Sequence, residues 1–340
     1  LQGPGTRADA TAKVSHAILC GTPNHGVFAL PGWREGSEFS GTGAFLRGLN
    51  APKNAAGDEV DDSLKWMTVR SDSNDKFAQP FLSGPDGKRV PSNVTYAGPE
   101  LKGAHNVVIA GIDHRETAFG PAAFAEIHRF ITGAAPRTTA IMAQRAIILS
   151  GKITGLGLDV HDAASGDFVN NLPLAGARLA IYALDDASAS RTGRARYQAR
   201  IGADGRWGPF RAQSGVRYEF EIAAPGYATS HTYRSAFARS SSVISMSAQR
   251  IAADDRDAGA IVTLKRVRGY LDAGRDRLQF DGKPVAGLPP SGAVLAESTL
   301  KLNEERARAR AISAQFNGER LLGRTWRAAD KHLTTLEISD

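Results

Sequence analysis

The chain has one cysteine, Cys20, in 340 residues. A lone cysteine forms no intramolecular disulfide, and Cys20 stands inside an apolar run, so it reads as a small buried hydrophobe and not as a nucleophile. No stretch reaches the roughly 18 consecutive apolar residues of a membrane-spanning helix, and no repeat period is visible. Lysine-rich runs with interleaved aromatics are absent too. The 42 Lys and Arg exceed the 35 Asp and Glu by only +7, and the arginines are scattered from Arg7 to Arg327. That balance describes a solvated, mildly basic surface rather than a nucleic-acid site, with weak attraction to anionic membrane or polymer surfaces still open. The chain opens Leu-Gln-Gly-Pro-Gly, with neither Met nor a signal-type apolar region. It is expected to be a processed product or an incomplete reading, so that features absent here stand upstream.

With 42% hydrophobic residues over this length, the chain can bury real cores in two or three domains. Composition places the boundaries at 1–138, 139–250 and 251–340. In the first part, His16–Cys20, Lys65–Val69 and Asn106–Ala110 are apolar without strict alternation, as expected of parallel strands covered on both faces. Residues 120–133 then read as a helix, with Pro121 at the first position, Gly133 as the C-terminal cap, and Phe124, Ile127 and Ile131 on the face turned to the sheet. From Ile147 onward short alternating segments dominate: Ile147–Ile153, Arg178–Ala183, Tyr197–Ile201 and Arg217–Ile222, separated by turns such as Ala203–Arg206 and Ala224–Gly226. The last part has strand-like Ala260–Leu264 and Leu333–Ile338 around a charged run, Leu302–Arg310, that reads as a short helix or a solvated strand. The fold class expected is α/β plus all-β.

Hydrolysis by serine, histidine and a carboxylate needs an imidazole to take the nucleophile's proton and an acid to hold that imidazole in one tautomer. Val107-Val-Ile-Ala-Gly-Ile-Asp-His114 ends an apolar strand in a histidine just before an amphipathic helix, the setting expected of such a base. Upstream, the loop after the Lys65–Val69 strand offers two acids, Asp72 and Asp75. Either also suits a turn, where Asp bonds the local backbone. His25 sits in a tight turn defined by Gly21, Pro23 and Gly26 and has no companions at metal-ligand spacing, so it reads as structural.

Four segments in order, Ala17-Ile-Leu-Cys-Gly-Thr-Pro-Asn-His-Gly26, Phe45-Leu-Arg-Gly-Leu-Asn50, the Asp75 loop and the His114 loop, resemble bacterial lipases of the α/β-hydrolase family. The resemblance covers roughly residues 14–133. It implies an incomplete α/β-hydrolase sheet followed by one or two sandwich- or barrel-like β-domains. It favours Asp75 over Asp72, because Asp75-Lys-Phe-Ala-Gln-Pro80 is similar to the lipase acid loop. It also places a cap or lid over residues 27–43, so that Phe28, Leu30, Trp33 and Phe39 contact substrate, though plain packing accounts for them equally well. The activity implied is hydrolysis of acyl esters or lipids, with no cofactor or metal, in a secreted or periplasmic protein. One part of the pattern is missing: no Gly-x-Ser-x-Gly occurs in residues 1–340, and the oxyanion hole that accompanies it is missing as well. Without the nucleophile the chain alone is expected to be almost inactive, down by about a millionfold; its serine is expected upstream.

Within residues 147–246, Leu174–Tyr182, Ala203-Asp-Gly-Arg-Trp-Gly208 and Tyr218–Tyr227 resemble transthyretin-like or carboxypeptidase-regulatory-like sandwiches. By analogy with lipases that carry C-terminal β-domains, Trp207, Tyr227 and Tyr233 are candidates for contact with a lipid or polymer surface, and a sandwich core would use them equally well. The competing function is a non-catalytic lipid-, glycan- or polymer-binding module on a hydrolase-derived scaffold.

Overall fold

The structure, a computed structural model, describes residues 14–72, 74–75, 77–95, 97–158, 168–255, 257–288, 295–307 and 309–338. The chain divides into two compact units, one built from residues up to Ala140 together with Arg268–Tyr270, the other from most of the remainder. No described helix is long and apolar enough to cross a membrane.

The first unit contains β1 (His16–Cys20), α1 (Ala44–Leu49), β2 (Lys65–Ser71), β3 (Phe81–Ser83), β4 (Arg89–Pro91), β5 (His105–Ile109), α2 (Glu116–Phe119) and α3 (Pro121–Thr132). Strands β1, β2 and β5 form a parallel sheet in the order β1-β2-β5, with Ala17 opposite Trp66 and Val69 opposite Val107. Their unalternated apolar sequences follow from burial on both faces. On one side Met67 and Val69 pack with Ala123, Ile127 and Phe130; on the other Trp66, Leu64, Val60 and Leu101 form a separate cluster with Leu19. Helix α3 starts at Pro121 and ends on Gly133, whose φ of 78° closes the last turn through Gly133 N–H to Arg129 O at 2.8 Å. The buried stripe is Ala123-Ile127-Phe130, whereas Phe124 and Ile131 are exposed. The helix is therefore rotated from the expected register, because small Ala123 lets the backbone approach Met67 and Val69. Cys20 is half-buried on this side, and burial pushes its thiol pKa up.

The second unit is mostly β. It contains β6 (Ala146–Leu158), β7 (Phe168–Pro173), β8 (Arg178–Ala183), β9 (Tyr197–Arg200), β10 (Arg206–Gln213), β11 (Tyr218–Ala223), β12 (Thr229–Arg234), β13 (Ser241–Ala248), β14 (Ala260–Arg266), β15 (Leu278–Phe280), β16 (Glu297–Leu302), β17 (Ala311–Phe316), β18 (Glu319–Arg324) and β19 (His332–Ile338). One sheet runs β10-β6-β13 with β7 added to β6; a second runs β16-β14-β19-β12-β11-β8-β9; a third is β15-β17-β18. Ile147, Leu149 and Ile153 of β6 meet Leu179, Ile181, Phe220 and Ile222 of the second sheet in one sandwich core. The opposite face of the second sheet, through Tyr233, Val262, Leu264 and Leu336, meets Phe280, Ile312, Phe316 and Leu321.

Several expectations are corrected by this packing. The seven-stranded sheet is continuous across residues 250 and 251, because β19 pairs in parallel with both β12 and β14. Trp207 and Tyr233 are buried, each filling a core and satisfying its polar atom internally: Trp207 Nε1 donates to Ile244 O at 3.2 Å, and the Tyr233 hydroxyl accepts from Trp326 Nε1 at 3.0 Å. Neither is available to a surface. Tyr227 is half-buried under the Arg250 guanidinium. The charged run after Leu302 is a turn rather than a helix or strand; Asn303 Oδ1 caps it by accepting from Arg306 N–H, and Arg310 leaves it to pair with Asp281 at 2.7 Å.

Candidate active site

In a parallel sheet the carboxyl ends of the strands all open on one side, and ligands bind there. The loops after β1, β2 and β5 each bring a residue to that side. Asp75, just past β2, is 2% exposed, and its Oδ2 lies 2.8 Å from His114 Nδ1, in the turn between β5 and α2. An ionised carboxylate only accepts, so Nδ1 donates to Asp75, and in the neutral imidazole Nε2 is the acceptor. Among the described residues nothing hydrogen bonds to Nε2. The second Asp75 oxygen, Oδ1, accepts Phe77 N–H at 2.8 Å, and the Asp75 carbonyl accepts from Gln79 Nε2 at 2.6 Å, so the acid is fixed from both ends.

Three further features hold this pair. Asp72, the other acid considered, does not reach His114; its Oδ2 accepts Gly111 N–H at 3.0 Å while Asn74 Nδ2 donates to Gly111 O at 3.2 Å and Ser71 Oγ donates to Ile112 O. These bonds fasten the loop after β2 to the loop after β5 and so bring Asp75 beside His114. Asp113 and Glu116 exchange bonds in the manner of a capping box: Asp113 Oδ1 accepts from Arg115 and Glu116 N–H at 2.9 and 3.0 Å, and Glu116 Oε2 accepts Asp113 N–H at 2.9 Å. His114 thus sits in a locked first turn, with its carbonyl accepting Thr117 Oγ1 at 2.7 Å. Asp113 Oδ2 also accepts Tyr270 N–H at 2.7 Å, which ties residues 268–270 into this unit. Finally, Gly21 at the end of β1 has φ 61°, and a Cβ there would stand 2.7 Å from His114 Cε1 and 2.8 Å from Nδ1. Only glycine leaves room for the imidazole.

Beside the pair lies a cavity of about 260 Å³, lined by His114, Asp75, Phe77 and Phe39 and by polar groups including Asn24, Arg70 and Asn93. Phe77 meets the His114 ring edge-on at 4.9 Å and is half exposed. Of the four aromatic or aliphatic residues expected to contact substrate, Phe39 lines this cavity. Phe28, Leu30 and Trp33 do not; the Phe28 and Trp33 rings pack on each other at 5.0 Å with Arg34 above Phe28. His25 lines the cavity as well, with Nε2 held by Glu59 at 3.1 Å and its carbonyl accepting from Asn93 Nδ2. The sequence marked Gly21 only as a turn residue and Phe77 only as part of the Asp75 loop, not as neighbours of His114, and gave no sign of the Asp113/Glu116 pair, although Asp-x-x-Glu before an apolar run is a recognisable helix start.

The second unit holds another titratable cluster. Glu219, Glu221 and His231 bring possible ligand atoms within 4.8 Å of one another, but Arg191 already supplies the cation, with Nη2 at 2.6 Å from both Glu219 Oε1 and Glu221 Oε2. His231 Nδ1 donates to Glu219 Oε1 at 2.6 Å, its Nε2 lies 2.7 Å from His332 Nδ1, and Trp326 stacks on it at 3.9 Å. This is a satisfied buried network rather than an open site.

Residues 145–251, from the start of β6 to just past β13, match the family model described as the lipase C-terminal domain, so the second unit carries a lipase-related domain. No curated protein matches the chain. Among solved structures it is similar to the shaft pilin SpaA of Lactobacillus rhamnosus GG at 10% identity, covering 56% of this chain and 96% of that one, with a TM-score of 0.20.

Proposed function

We propose that the first unit provides the acid and base of a carboxylic ester hydrolase of lipase type, built on part of an α/β-hydrolase sheet, with acyl esters or lipids as substrates. The observation that carries this reading is the 2.8 Å bond between His114 Nδ1 and buried Asp75, with Nε2 unengaged beside a cavity. In it, His114 Nε2 takes the proton of a serine as the serine oxygen attacks the ester carbonyl, then returns that proton to the departing alcohol; Asp75 holds the tautomer and stabilises the imidazolium. The serine belongs to a Gly-x-Ser-x-Gly outside residues 1–340. Cys20 does not replace it, since a thiol pushed up in pKa yields little thiolate at neutral pH. The lipase-related domain at 145–251 supports the substrate class, and the same reading makes the protein secreted or periplasmic.

The test is hydrolysis of short and long acyl esters by the chain joined to its preceding segment. His114→Ala is expected to lower kcat by up to about a millionfold and Asp75→Asn by about 10⁴-fold, whereas Asp72→Asn acts through loop order and costs far less. Retained activity in His114→Ala overturns the assignment.

A further inference from the structure

A turn that carries a base must be held from outside when the helix behind it is short. Helix α2 has four residues, too few to be stable alone, and His114 stands just ahead of it. Part of the hold comes from Arg268–Tyr270, which follow β14 in the chain but belong to the first unit. The two residues flanking His114 grip one peptide group of that segment at both ends. Asp113 Oδ2 accepts Tyr270 N–H at 2.7 Å, and Arg115 Nη1 donates to Gly269 O at 3.2 Å. With a carboxylate on the N–H and a guanidinium on the C=O, both bonds are charge-assisted and about twice as strong as neutral ones. Asp113 and Tyr270 are buried, so water competes little for the first of them.

The Tyr270 side chain reaches the acid's loop as well. Its ring lies 6.3 Å from that of Phe77, which in turn meets the His114 ring edge-on at 4.9 Å. Phe77 N–H is also the donor that fixes Asp75 Oδ1. Phe77 is half exposed, so few neighbours set its orientation, and Tyr270 is one of them. The Arg115 guanidinium lies over the Tyr270 ring, 4.7 Å from its centre. Burial outweighs the pull of Arg115 and pushes the phenol pKa up, so Tyr270 stays protonated and acts by its shape and its N–H.

We infer that Tyr270 is a positioning residue for His114: its N–H anchors the turn that carries the base, and its ring braces Phe77 between acid and base. The inference rests on the reading of His114 and Asp75 as a base and its acid, and two readouts keep the two claims apart. In the full chain, the His114 Nδ1 proton resonates far downfield while the bond to Asp75 holds, whether or not any ester is turned over. Tyr270→Ala is expected to abolish that resonance. Tyr270→Phe, which keeps the ring and the N–H, should restore it, and Arg268→Ser, at an exposed position in the same segment, should leave it as in the parent. In the chain joined to its preceding segment, Tyr270→Ala should lower kcat by about 10²-fold, the cost of misplacing a reacting group by about 1 Å, with KM little changed. Asp113→Asn keeps one oxygen for the bonds from Arg115 and Glu116 N–H but sets an amide donor against Tyr270 N–H. It should lose the resonance too, and its loss of kcat combined with that of Tyr270→Ala should fall short of the product of the two. Loss of the resonance in Tyr270→Ala, from a parent that hydrolyses no ester, supports the positioning and refutes the hydrolase reading. A resonance unmoved in folded Tyr270→Ala, or in Asp113→Asn should the first variant fail to fold, overturns the inference. So does full additivity of the two losses.

Discussion

A bond between an imidazole and a carboxylate orients the ring only if the ring has one place to be. Gly21 sets that place, because the β1 chain end approaches His114 so closely that a methyl group would meet Cε1 at 2.7 Å. Gly21→Ala is thus expected to push the ring off Asp75 and to strain a left-handed backbone, a conformation costing about 1–2 kcal/mol for a residue with Cβ. The melting temperature should fall, and the downfield Nδ1 proton resonance of His114 expected in the parent should vanish. A variant that keeps that resonance would show that the space at Gly21 is not what holds the ring. The same neighbourhood shows how far residues can be read without coordinates. Asp75 and His114 were legible because each follows an apolar strand. Position after the strand did not choose between Asp72 and Asp75; the resemblance of the Asp75 loop to a lipase acid loop favoured Asp75, and in the structure Asp75 Oδ2 meets His114 Nδ1 while Asp72 Oδ2 accepts Gly111 N–H across two loops.

At the scale of elements, the strands of both units were legible from apolar runs and turn residues, while the rotation of α3 was not. Phe124, Ile127 and Ile131 make a plausible apolar stripe, and Ala123, Ile127 and Phe130 make another one residue position around; hydrophobicity favours the first because alanine counts for little. Close packing against a sheet rewards the small side chain instead. The two registers predict opposite mutational results. Ala123→Leu should overpack the contact with Met67 and Val69 and cost about 1–3 kcal/mol, while Phe124→Ser and Ile131→Ser should stay within about 0.5 kcal/mol of the parent. Urea unfolding of the three variants measures this, and a large loss in Ile131→Ser with none in Ala123→Leu would restore the rejected register. The charged turn after Leu302 was misread for a related reason: its bonds run to Asp281, distant in sequence, so local pattern carried no sign of them.

For the molecule as a whole, the network at the centre of the seven-stranded sheet links strands far apart in the chain and makes stability depend on pH. Burial, together with the charge of His231, outweighs the pull of Asp330 and Glu221 and holds the His332 imidazole below its ordinary pKa. Burial pushes Glu219 up, but the hydrogen bonds and charges of Arg191 and His231 more than cancel it and hold that carboxyl below its usual range. Only one proton fits in the 2.7 Å gap between His231 Nε2 and His332 Nδ1, so a second must break a bond joining β12 to the start of β19. For His332 the unfolded chain binds the proton more readily than the folded one. Its contribution is therefore complete above the unfolded pKa of about 6.5 and falls as pH drops below it toward the depressed folded value, by at most about 1.4 kcal/mol per pH unit. The Glu219 contribution has the same sign at lower pH, present above the ordinary carboxylate pKa and lost as pH falls through the folded one. Denaturant unfolding from pH 7.5 downward should accordingly show stability beginning to fall near pH 6.5, before most carboxylates titrate. His332→Asn places an amide, which can accept or donate but cannot titrate, where Nδ1 stood, so it should flatten the upper part of that curve and leave the lower part in place. An unchanged slope between pH 7 and 5.5 in His332→Asn would assign the acid sensitivity to groups elsewhere in the molecule.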